Sequence, residues 1–260
     1  MLRFLNAMTE EPVVIEVLWD LRYWVIETFS LTGNGAAFAT LGAALLCILL
    51  PYLLGSINPA IIISGASFRD DVRKHGSGNA GTTNMLRTYG KKAAVAVFAL
   101  DMLKGAVAVL LGRLLFGIDG GALAGFFVAF GHMFPVYYKF RGGKGVACLA
   151  TVILVISPIT FLFLLGVFLV VAIGTRMVSL ASVMCALLYP LILRAFANYG
   201  LNVAMAVLAT CFVVYMHREN LKRIWNGTES KLDFNQFKIK RKKNGDAGKK
   251  KDGSEGEDYE

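Results

Sequence analysis

The densest group of residues able to do chemistry is Gly76-Ser77-Gly78-Asn79-Ala80-Gly81-Thr82-Thr83-Asn84, followed by Arg87. Glycines let backbone N–H groups approach an anion closely, hydroxyl and amide side chains add donors, and an adjoining helix N-terminus adds positive potential. The order matches G-x-G-x-x-G, but that dinucleotide fingerprint needs a preceding strand and a βαβ unit. Its flanks here are apolar runs of helical length, and the Gly-Lys-Ser/Thr ending of a nucleotide-triphosphate loop is missing. A phosphate cradle is what remains, with Arg73, Lys74 and Arg87 beside it; a plain polar turn between helices is the alternative.

A second loop, Phe140-Arg141-Gly142-Gly143-Lys144-Gly145, has the same logic. An ordinary cationic membrane anchor needs only Lys and Arg and has no use for three glycines around one lysine. Asp101 and Lys104 stand three apart on one face of an otherwise apolar helix. A charge at mid-membrane costs roughly 2.5 to 3.5 kcal/mol on insertion scales, so the two are expected to face the protein interior and pair. His217-Arg218-Glu219-Asn220 gathers four polar side chains at a helix end, where His217 would suit a general base. His132, close to Pro135, reads equally well as a packed residue.

No metal centre is expected, because His75, His132 and His217 lie far apart and outside any ligand motif. Cys47, Cys148, Cys185 and Cys211 sit singly in apolar runs and read as inert packing residues.

The elements that must position these groups are membrane helices. Residues of the AVILMFWYC class make up 56% of the 260 positions and charged residues 17%, too apolar for a soluble domain. A transmembrane helix needs about 20 apolar residues, and Val146 to Thr175 carries no charge at all. No stretch shows the period-two alternation of a membrane barrel. The predicted fold is therefore an all-α polytopic membrane protein with seven transmembrane helices: Phe38–Ala66, Lys92–Leu115, Gly121–Tyr138, Gly145–Ser157, Pro158–Gly174, Ser179–Leu193 and Leu201–Met216.

Orientation follows from short cytoplasmic loops being rich in Lys and Arg. Arg69, Arg73, Lys74, Arg87, Lys91, Lys92, Lys139, Arg141, Lys144 and Arg176 belong inside, leaving Arg113 and Arg194 for the opposite turns. The N-terminus is then outside and the C-terminus cytoplasmic. This threading divides Val146–Thr175 at Pro158, since one long helix there would export the lysine-rich tail.

Residues 1–37 form an N-terminal extension without signal-peptide character. Val13 to Phe29 is apolar but interrupted by Glu16, Asp20, Arg22 and Glu27, which predicts an amphipathic helix at the outer interface, or a protein contact. Residues 38–232 form the membrane domain. Residues 233–260 pair a basic block with an acidic end and are expected to form a disordered cytoplasmic tail.

Several motifs occur in order over roughly residues 40 to 232: Gly55-Ser56-Ile57, the Gly76–Asn84 loop with Leu86-Arg87-Thr88, Asp101-x-x-Lys104-Gly105, Gly131-His132-Met133-Phe134-Pro135, Gly142-Gly143-Lys144-Gly145-Val146-Ala147, Ser179-Leu180 and His217-Arg218-Glu219-Asn220. Together they resemble the bacterial membrane-embedded glycerol-3-phosphate acyltransferases that use acyl phosphate, the PlsY type. None of the histidines precedes Asp by five positions, so the H-x-x-x-x-D signature of acyl-CoA-using acyltransferases is absent. The family commonly reads Gly-Ser-Ile-Pro where this chain has Asn58 before Pro59, which leaves the turn after Ser56 open.

The resemblance implies acyl transfer from acyl phosphate to the 1-hydroxyl of sn-glycerol 3-phosphate at the cytoplasmic face of the inner membrane, among membrane lipid, with no cofactor, metal or nucleic acid. Two phosphate-bearing substrates need two anion cradles. The expected catalytic residues are Ser77, Lys144 and His217. Expected to bind phosphate are Ser56, Gly76, Gly78, Asn79, Thr83, Asn84, Arg87, Lys104, Gly142, Gly143, Arg218 and Asn220. The proton goes either to His217 or to a substrate phosphate. A transporter of a phosphorylated solute is the competing reading, since buried charges and interrupted helices are transporter features.

Overall fold

The computed structural model describes residues 20–196 and 200–232, all helix, turn and loop. The tail predicted for 233–260 and the part of the N-terminal helix before Asp20 lie outside the described residues. Helix α1 (Leu21–Thr28) is followed by α2 (Asn34–Ser56), α3 (Pro59–Phe68), the short α4 (Thr82–Tyr89), a long α5 (Lys91–Met133), α6 (Val146–Ile156), α7 (Pro158–Thr175), α8 (Val178–Phe196), α9 (Gly200–Met216) and α10 (Arg218–Trp225).

The first predicted span divides in two at Ile57 and Asn58. Asn58 accounts for the break: its side-chain oxygen accepts from the N–H groups of Ala60 and Ile61, capping α3, with Pro59 in the first helical position. The second and third predicted spans are instead two limbs of α5, separated by non-helical Phe116 and Gly117. Gly117, at φ 61°, takes the left-handed conformation that lets the chain reverse. The limbs then pack side by side, with a Cβ on Gly112 falling against the Gly120 backbone, and Val109 and Val128 sharing one apolar cluster.

Helix α2 lies along this hairpin. A Cβ on Gly55 would collide with the Val128 backbone and one on Gly131 with the Tyr52 carbonyl, so small residues allow the close crossing usual between membrane helices. Val170, 74% exposed, and Ile173, 63% exposed, mark the outer face of α7, as expected for lipid contact.

Among the described residues, four stretches are long and apolar enough to cross a membrane: Asn34–Phe68, Lys91–Tyr138, Pro158–Thr175 and Val178–Phe196. A fifth arises if Gly200–Met216 and Arg218–Trp225, bent by 56°, count together, while α6 has only 11 residues. The count of seven rests on taking the α5 limbs, α6 and α9 as separate passes. The N-terminal extension grips the hairpin tip: Asp20 caps α1 and pairs with Arg22 at 2.7 Å, and the Arg22 guanidinium lies 4.1 Å from the Phe116 ring centre.

Candidate functional site

At the end opposite the hairpin tip, the glycine-rich loop is built around the side chain of Asn84. Its amide nitrogen donates to the carbonyls of Val72 (3.0 Å) and His75 (2.9 Å), and its oxygen accepts from the Ser77 N–H at 3.0 Å. Gly76 (φ 57°) and Gly78 (φ 70°) turn the chain around this buried amide. Helix α4 starts at Thr82, and the Thr82 hydroxyl is buried without a hydrogen-bond partner among the described residues. An unpartnered donor beside a helix N-terminus fits an anion.

The Gly142–Gly145 loop is tied to the C-terminus of α5, with the Gly143 N–H donating to the His132 carbonyl at 3.0 Å and the Gly142 N–H to that of Met133 at 3.2 Å. A Cβ on Gly143 would clash with the His132 ring and the Ala80 carbonyl, so only glycine lets the two loops meet. Arg73 fastens them further by donating to the carbonyls of Tyr138 (3.3 Å) and Arg141 (3.1 Å).

Lys144 leaves this junction and donates to the Asn220 side-chain oxygen on α10. The Asn220 amide and the Ser179 hydroxyl each donate to Glu229 at 2.6 Å, and Arg223 donates to its other oxygen at 2.8 Å. Burial raises the Glu229 pKa, but these three hydrogen bonds outweigh it and hold the carboxyl below its ordinary value. Burial brings Lys144 down to about 8, helped by the charges of Arg223 and Arg87 and opposed by Glu229. Burial and the Lys144 charge bring His217 down to about 4. His217 is therefore neutral near pH 7. Its Nδ1 lies 2.8 Å from the Val213 carbonyl, which can only accept, so Nε2 keeps a free lone pair.

Deeper in, Lys104 pairs with Asp101 at 2.9 Å, as expected of two buried charges. The Lys104 ammonium also meets the carbonyls of Gly55 (3.2 Å) and Ile57 (2.9 Å) and the His132 Nδ1 (2.8 Å). Asp101, His132 and Cys148 bring their ligand atoms within 4.8 Å of one another, but the ammonium already supplies the cation in that cluster.

These groups surround a cavity of about 360 Å³. Ser77, Asn79, Thr83, Asn84, Arg87, Lys144, His217 and Asn220 line it, with Asp101 and His132 behind them. Seven other expected residues are outside its wall. Ser56 donates to the Tyr52 carbonyl and accepts from the Val136 N–H, and Lys104 has three oxygen acceptors for its three protons, so neither has a donor left for a ligand. Gly76, Gly78, Gly142 and Gly143 shape the loops. Arg218 is exposed, stacked over Tyr215. Within the wall, Asn84 is occupied holding the loop. Glu229 and Ser179 also line the cavity. Glu229 carried no sequence signal, being one acid in a polar stretch, while Ser179 was visible only through the family motif. The far wall, with Ile153, Phe161, Leu164, Phe168 and Tyr189, is apolar.

A family model described as glycerol-3-phosphate acyltransferase matches residues 45–227. The chain is 42% identical over 189 residues to the glycerol-3-phosphate acyltransferase of Thermoanaerobacter pseudethanolicus, covering 73% of this chain and 96% of that protein. It is 41% identical over 189 residues to the Bacillus subtilis protein of the same name, covering 73% and 97%. Among solved structures it is similar to PlsY (YgiH), an integral membrane glycerol 3-phosphate acyltransferase, in its glycerol 3-phosphate form: TM-score 0.71, 37% identity, 75% of this chain and 98% of that one. The lysophosphatidic acid form gives a TM-score of 0.67 at 38% identity, covering 74% and 97%.

Proposed function

The chain belongs to the glycerol-3-phosphate acyltransferase family, and on that basis we propose that it transfers a fatty acyl group from acyl phosphate to the 1-hydroxyl of sn-glycerol 3-phosphate. The products are 1-acyl-sn-glycerol 3-phosphate and phosphate, at the entry to phospholipid biosynthesis. The observation that carries this reading is one cavity with two chemistries: Arg87, Lys144, Ser77 and the α4 N-terminus at one end, and an apolar wall at the other.

Acyl phosphate is a mixed anhydride with a good leaving group, so no covalent enzyme intermediate is required. The glycerol hydroxyl attacks the acyl carbon, a new C–O ester bond forms, and the bond to the phosphate oxygen breaks. Lys144 and Arg87 hold phosphate and offset the charge that develops on the carbonyl oxygen. Lys104, with its protons already engaged, acts as a positioning residue. His217 accepts from the hydroxyl through Nε2 and orients it. A base with a pKa of about 4 is weak at neutral pH, so a substrate phosphate oxygen takes the proton.

Seven passes, with the N-terminus outside and the site facing the cytoplasm of a bacterial inner membrane, agree with the positions of the cations. A transporter would need a polar path through the far side, and there this cavity is apolar.

The test is purified protein in detergent with palmitoyl phosphate and labelled glycerol 3-phosphate, assayed for lysophosphatidate. Product from the wild type and at least about a hundredfold less from Lys144→Ala are expected. No wild-type product, or unchanged product with Lys144→Ala, counts against the assignment. Near-normal turnover of His217→Ala would remove the histidine from the mechanism.

A further inference from the structure

We infer that Tyr189 is the floor of the acyl-chain site and sets the length of chain that the enzyme accepts. The inference rests on the acyl-transfer reading above. On α6, α7 and α8, the lining residues farthest along each helix from its end at the polar loops are Ile153, Phe161 and Tyr189, and the three pack in one apolar cluster. Tyr189 is the largest polar-tipped side chain among them. It is 5% exposed and packed with Ile153, Leu164 and Leu193.

Tyr189, with Leu149 and Ala209, also lines a second void of about 10 Å³, whose remaining wall includes Phe126, Asn202 and Met205. These three side chains are shared by the main cavity and the smaller void, and Tyr189 is the bulkiest of them. Truncating it would join the two and lengthen the site. At 1.5 Å per residue, the wall from Ser179 to Tyr189 is about 15 Å long. That is half of a typical 30 Å hydrocarbon core, the depth that one acyl chain fills in one leaflet.

The experiment compares lauroyl, myristoyl, palmitoyl, stearoyl and arachidoyl phosphate as donors at saturating glycerol 3-phosphate. Tyr189→Ala should shift kcat/KM toward longer donors, changing the ratio of longest to shortest by at least about tenfold, the scale of methylene discrimination in an apolar pocket. Tyr189→Trp should shift it toward shorter donors. Leu193→Ala, in the same cluster but outside the cavity wall, should leave the ratio unchanged. If Tyr189→Ala does not fold, Tyr189→Leu replaces it in the same comparison. An unchanged ratio in the Tyr189 variants, or an equal shift in Leu193→Ala, overturns the inference. Absence of product from wild type with every donor overturns the acyl-transfer reading instead.

Discussion

Lys144 is the residue whose environment makes the sharpest demand. Its folded pKa of about 8 lies below the ordinary 10.5, because burial disfavours the cation. The sign follows: the ammonium is present below about pH 8 and lost as pH rises through that value. KM for glycerol 3-phosphate should therefore rise above about pH 8 in the wild type, measured from initial rates across pH. A guanidinium stays charged throughout, so Lys144→Arg should flatten that limb even if its kcat is lower. A wild-type KM unchanged up to pH 9 would disprove the role of the cation. Lys144 was legible in the sequence because three glycines around one lysine have no anchoring purpose. Glu229 was not, since its importance comes from Ser179, Asn220 and Arg223 converging on it from distant parts of the chain.

Between elements, the Asp101–Lys104 pair carries the clearest energetic consequence. Two charges three residues apart in an apolar helix had to pair, and the sequence says so. It does not say that the ammonium also binds the carbonyls of Gly55 and Ile57 at the end of α2, which makes Lys104 a brace between α2 and α5. Removing one member of a buried ion pair typically costs about 3 to 5 kcal/mol, whereas replacing both with apolar or neutral groups costs much less. Lys104→Met should lower the unfolding temperature in detergent more than Asp101→Asn/Lys104→Met together, read by thermal denaturation. A double variant no more stable than the single one would show that the carbonyl contacts, rather than the ion pair, hold the helices. The break at Asn58 was legible as a departure from the family pattern, but its result, a capped α3, required the geometry of the Asn58 side chain.

For the whole molecule, the two ends differ in chemistry, and each helix can be followed from one to the other. Helix α6 starts beside Lys144. Helix α7 ends at Arg176, whose carbonyl accepts from the Leu232 N–H at 2.7 Å, near Glu229. The chain therefore leaves the polar end on α6 and returns to it on α7, so the Ser157–Pro158 turn lies with the hairpin tip at the far end. Composition made the helices legible, and the proposed parity rests on the loop charges. The shortness of α6, at 11 residues, or about 16 Å, is what makes the turn the weakest step, because a 30 Å core must thin or the helix must be extended by its loops. Impermeant thiol labelling of spheroplasts decides it in a cysteine-free background. Ile159→Cys should react from outside, whereas Arg141→Cys should react only after permeabilisation. Protection of Ile159→Cys until lysis would make residues 146–175 a different kind of span. The parity of every later helix would then reverse, placing Glu229 and Asn220 on the side opposite Lys144, a separation that the Lys144–Asn220 hydrogen bond does not permit.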